Sequence, residues 1–73
     1  MSHIEHILIT VNGELHSILS GASLAAAIAD AQLAAETVAT AVNGEFVARS
    51  DRASRELLAG DAVFTFQAIT GGY

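Results

Sequence analysis

Three groups of residues in this chain have the type or spacing to do chemistry: the histidines His3, His6 and His16, the arginines Arg49, Arg52 and Arg55, and the glycine pair Gly71-Gly72 followed by Tyr73. There is no Cys, which removes thiolate metal sites, disulfides and cysteine nucleophiles together. His3 and His6 stand three apart in an apolar stretch that reads as a strand, so their side chains leave on opposite faces and cannot share a metal without a bend. They read as ordinary surface histidines, and His16, near a turn, as an exposed one. No Ser or Asp occupies a nucleophile elbow or stands beside an evident base, and the glycines are dispersed at turns and at the end of the chain, forming no phosphate loop. An independent active site lacks its parts, and no bound metal or cofactor is expected.

The arginines are spaced by three, which aligns them along one side of a helical turn. Such a stripe could dock an acidic partner. Asp51 and Glu56 stand close by, and exposed ion pairs contribute little, so the stripe reads as a locally balanced, solvated face. Gly71-Gly72 differs in kind. Without Cβ atoms the pair forms a narrow, permissive strip that can enter a slot too tight for other residues. Alone, a terminal Gly-Gly signals fraying; its interest lies in the rigid strand that is expected to precede it.

The elements that must position these residues come from a small, apolar chain of 73 residues, 52% hydrophobic, with a net charge of -5. That length allows one domain with a thin core, since a chain this small buries only about 60% of its unfolded surface. Eight acidic residues face three Arg and no Lys, a balance that repels phosphate backbones and favours a protein partner with a basic surface. Met1 to Glu5 has neither the basic nor the apolar region of a signal peptide, and no apolar run approaches membrane-spanning length, so the expectation is a cytoplasmic protein without membrane or nucleic-acid partners.

Ile4 to Val11 reads as a strand with Ile7, Ile9 and Val11 toward the core, Asn12-Gly13 as a type I′ turn, and Leu15 to Leu19 as the returning strand. Ser23 is placed to cap a helix over Ala25 to Ala35, with Leu24, Ala27, Ile28 and Ala31 as its buried stripe. Val38 to Val42 and Phe46 to Ala48 form a second pair of strands around Asn43-Gly44, Ser50 caps a short helical turn through Glu56, and Ala62 to Ile69 is the last strand. The repeat of Val11-Asn12-Gly13-Glu14 as Val42-Asn43-Gly44-Glu45 reads as convergent turn chemistry. On the last strand the large Phe64 and Phe66 are assigned to the core, leaving Gln67 and Ile69, with Thr70, as partner contacts. The predicted fold class is α+β. It becomes a β-grasp if the first and last strands lie side by side at the centre of a mixed sheet, with the helix across one face; other small α+β sheets share the element order. Residues 1–69 would be the domain and 70–73 a flexible tail.

The run Val38-Ala39-Thr40-Ala41-Val42-Asn43-Gly44-Glu45-Phe46-Val47-Ala48-Arg49, the Gly60-Asp61 turn and Phe66-Gln67-Ala68-Ile69-Thr70-Gly71-Gly72 carry, in their order and spacing, a further signal. With them the chain resembles the ThiS family, sulfur carriers of thiamine biosynthesis with a ubiquitin-like β-grasp fold, from Ile7 onward. The resemblance implies a carrier protein that is not itself an enzyme. A ThiF-type adenylating enzyme would use magnesium-ATP to activate the carboxylate of Gly72, with Gly71 as its slender neighbour. A sulfur donor protein would then supply the thiocarboxylate sulfur, and a ThiG-type thiazole synthase would receive it. Tyr73 departs from the family pattern, because it ties the Gly72 carbonyl into a peptide bond; a peptidase is therefore expected to remove Tyr73. The rival readings are a carrier for molybdopterin or another sulfur pathway, and a β-grasp interaction module that never becomes a thiocarboxylate.

Overall fold

A computed structural model of the chain describes residues 5–67. His3, Ile4 and the stretch from Ala68 through Ile69, Thr70, Gly71, Gly72 and Tyr73 lie outside the described residues, and with them the expectations placed there.

Strands β1 (His6–Val11) and β2 (Glu14–Leu19) pair antiparallel in register from His6 opposite Leu19 to Val11 opposite Glu14. Between them Asn12 and Gly13 take φ values of 52° and 87°, the two positive values that a type I′ turn requires. Helix α1 (Leu24–Asp30) begins where the Ser23 hydroxyl accepts a hydrogen bond from the Ala26 N–H at 3.1 Å. It ends well short of the Ala35 expected from helix propensity. Gln32 turns left-handed, at φ 60°, while its N–H donates to the Ala29 carbonyl and the Leu33 N–H donates to the Ile28 carbonyl. That paired closure satisfies the last free carbonyls and terminates the helix, with Gln in a place that usually holds Gly. A 3-10 helix over Ala35–Thr37 then leads into the sheet.

Strands β3 (Val38–Val42) and β4 (Glu45–Val47) form a second antiparallel pair around Asn43 and Gly44, at φ 53° and 84°. A 3-10 helix over Arg49–Ser54 follows. Ser50 lies within it and is not its cap; the chain enters from Ala48, where no side chain bonds the first turn. Strand β5 (Ala62–Gln67) completes a five-stranded sheet of order β2-β1-β5-β3-β4. β5 runs parallel to β1 and antiparallel to β3, so the first and last strands are neighbours at the centre. This is the β-grasp arrangement.

The core fills the space between α1 and one sheet face. Ile9, Val11, Ile18, Val42, Val47 and Val63 come from the sheet, and meet Leu24, Ala27 and Ile28 of the helix and Leu57 from the loop before β5. Each large side chain buried there contributes about 1.5 to 3 kcal/mol. His16, opposite Ile9 in register, faces this side and is half-buried, so it is less open than its place beside a turn implied. The aromatic residues of β5 fall on the other face. Val63 is fully buried, whereas Phe64 and Phe66 are 40% and 56% exposed. Register decides the matter: Val63 lies opposite Val11 and Val42, both core residues, and alternation sends its neighbours outward. Among the described residues no helix is long and apolar enough to cross a membrane.

Candidate functional site

β5 matters most because the chain beyond it leads to Gly71-Gly72. It is the middle strand, hydrogen-bonded on both sides, and Gln67 is exposed at its C-terminal end. On the face away from α1, β5 contributes Phe64 and Phe66. Alternation and register place Leu8 of β1, Leu15 and Leu19 of β2 and Phe46 of β4 on that same face, all more than half exposed. Ala41 of β3 lies between Phe46 and Phe64 in register, and is buried although no helix covers it. Among the described residues, the other exposed large apolar side chain is Leu58. An apolar sheet surface of this composition is a candidate contact site for another protein.

The arginine stripe does not face solvent as a unit. Arg52 is only 4% exposed. Its Nε donates to the Thr40 hydroxyl at 3.1 Å, Nη1 to the Ala35 carbonyl at 2.9 Å and Nη2 to the Val38 carbonyl at 2.6 Å. Arg49 donates to the Glu36 carbonyl, also at 2.6 Å. Arg55 pairs with Glu45 at 3.7 Å, and neither Asp51 nor Glu56 supplies the expected balance. Arg49 and Arg52 thus lie against the protein's own backbone around the start of β3, while Arg55 turns to the Glu45 side chain of β4.

No cluster of three or more metal-binding side chains exists among the described residues. A cavity of about 220 Å³ opens at the edge of the sheet, lined by His6, Ser17, Ile18, Leu19, Ala26 and Asp30 among others. Ser17, His6 and Asp30 share this lining, but no hydrogen bond joins their side chains among the described residues.

The match to known proteins decides the class. The model of the ThiS family matches residues 9–72, almost the whole chain and up to the second glycine of the pair. The chain belongs to the ThiS family. It is thereby one of the small ubiquitin-like sulfur carriers of thiamine biosynthesis. The crystal structure of the thiamine biosynthesis protein ThiS from Geobacter metallireducens is similar over 90% of this chain and 100% of that one, at 26% identity and a TM-score of 0.79. A comparison with curated proteins found no match. Among ThiS-like features, Tyr73 stands outside the matched span.

Two functional candidates escape a reading of residue types in this ThiS-family chain. One is the outward pair Phe64 and Phe66, which size alone assigns to the core. The other is the pair of turn asparagines. Asn12 Oδ1 accepts from the Thr65 N–H and its Nδ2 donates to the Thr65 hydroxyl, both at 2.9 Å. Asn43 Oδ1 accepts from the Ala62 N–H and its Nδ2 donates to Asp61, again both at 2.9 Å. The repeated Val-Asn-Gly-Glu was the available signal: both copies point a carboxamide at β5.

Proposed function

We propose that this chain carries sulfur to the thiazole of thiamine as a thiocarboxylate on Gly72. The observation that carries the reading is the helix-free apolar face, which includes the outward residues of β5, the strand whose continuation holds Gly71-Gly72. A partner that covers Phe64 and Phe66 is brought next to that continuation. Gly72 follows Gln67 by five residues, a reach of at most about 18 Å in extended chain. Docking and reaction therefore belong to one encounter.

The partners are a ThiF-type adenylating enzyme, a sulfur donor protein and a ThiG-type thiazole synthase. Magnesium-ATP belongs to the first of them. A carboxylate is a weak electrophile because its charge is delocalised. Its oxygen attacks the α-phosphate of ATP, pyrophosphate departs, and the acyl adenylate acquires a good leaving group. Sulfur supplied at the sulfide level then adds to the acyl carbon and AMP leaves. Charge stabilisation during both steps comes from the activating enzyme. This chain supplies the handle, the narrow Gly71-Gly72 approach and, having no Lys, no side-chain amine to intercept the activated carbonyl.

Tyr73 must leave before Gly72 can present a carboxylate. Intact mass spectrometry of the protein from its own cells tests the sequence of events: a species ending at Gly72 is expected, followed by one in which sulfur replaces oxygen. Full function of a chain retaining Tyr73, in cells that cannot trim it, would refute the assignment of Gly72.

A further inference from the structure

The backbone pairing of β1 with β5 stops early. Thr10 and Val11 lie opposite Ala62 and Val63, after which β1 turns away at Asn12-Gly13 while β5 continues to Gln67. Along that edge the Thr10 N–H donates to the Asp61 carbonyl and the Asn12 N–H to the Val63 carbonyl. The odd-numbered residues of β5 thus turn their polar backbone toward β1, and Thr65 is the next in line. No β1 backbone remains to meet it. The carboxamide of Asn12 occupies that place, accepting the Thr65 N–H as a strand carbonyl would and also holding the Thr65 hydroxyl. Thr65 sits between Phe64 and Phe66.

We propose that Asn12 is a positioning residue. Its side chain adds one rung to the sheet where β1 has ended, and so holds the aromatic pair and the C-terminal half of β5 as part of the rigid body that the activating enzyme binds. The inference rests on the carrier reading for its kinetic consequence, but not for the hold on β5 itself. Asn43 holds the beginning of the same strand from the β3 side, and there the backbone pairing to β3 continues as far as Gln67. The β1 side depends on Asn12 alone among the described residues.

Two substitutions separate the rung from the turn. Asn12→Gly keeps a residue suited to the φ of 52° and removes the carboxamide. Asn12→Asp also suits the turn, and its two carboxylate oxygens can accept from the Thr65 N–H and from the hydroxyl, which rotates to donate. In Asn12→Gly the Thr65 amide should exchange with solvent about tenfold faster, with core amides such as that of Val42 unchanged. In the chain ending at Gly72, ATP–pyrophosphate exchange by a ThiF-type enzyme should show KM for the carrier raised about fivefold to tenfold with kcat unchanged, because the reacting carboxylate is the same. Asn12→Asp should match the parent in both measurements. Parent-like values for Asn12→Gly, or Asn12→Asp behaving like Asn12→Gly, would overturn the inference. If the parent chain is not adenylated at all, the carrier reading fails, and the Thr65 exchange rates still decide whether Asn12 holds β5.

Discussion

Arg52 buries its guanidinium with no carboxylate paired to it among the described residues. Three acceptors around its planar guanidinium, two carbonyls and the Thr40 hydroxyl, take the place of a counter-ion. A lysine ammonium keeps the charge but not the fork. Arg52→Lys should therefore lower stability by about 2 kcal/mol, read as a lower urea midpoint at unchanged m-value. Gln32 presents the opposite case, a side-chain-bearing residue held left-handed at φ 60°. Gln32→Gly relieves that strain at some cost in chain entropy, and should raise the melting temperature, equivalent to about 0.5 kcal/mol. Neither role could be read from residue type. Propensity is silent about a left-handed Gln that closes a helix, and the spacing of Arg49, Arg52 and Arg55 shows a common side without saying what lies against it.

On the scale of elements, most of the fold was legible because local chemistry and global arrangement agree. Asn12-Gly13 and Asn43-Gly44 locate both hairpins, Ser23 locates the start of α1, and Leu24, Ala27 and Ile28 define its buried stripe. The orientation of β5 was not legible, because both of its alternating sets are substantially apolar. Size favours Phe64 and Phe66 for the interior, but the strand is in register with Val11 and Val42, so Val63 takes that place. The consequence for the site is direct, since the outward aromatics become available to a partner. Phe66→Ser should change folding stability by no more than about 0.5 kcal/mol while weakening binding to the adenylating enzyme at least tenfold, as measured by calorimetric titration. Leu57→Ala should do the reverse, costing about 2 to 5 kcal/mol in unfolding experiments, because Leu57 is fully buried beneath α1 and the sheet.

At the scale of the whole molecule, the net charge of -5 accompanies an uncovered apolar face. The charge keeps copies apart, while the apolar surface supplies affinity once a complementary partner is aligned. Raising salt from about 0.05 M to 0.5 M should slow association with the activating enzyme several-fold and leave dissociation little changed, in stopped-flow measurements. The same whole-molecule view limits what the C-terminal motif could disclose by itself: Gly71-Gly72 is the proposed reactive end, but the apolar surface proposed to deliver it is assembled from β1, β2, β4 and β5.

Among the described residues β5 is the last strand in the chain and the middle strand of the sheet. During translation, β1 and β2 can form one hairpin and β3 and β4 another, yet the two halves have no seam to close until Ala62–Gln67 has emerged from the ribosome. On the proposed reading, a chain that stops before β5 cannot present a counterfeit carrier to an activating enzyme, because the apolar face lacks Phe64 and Phe66 until that strand is in place.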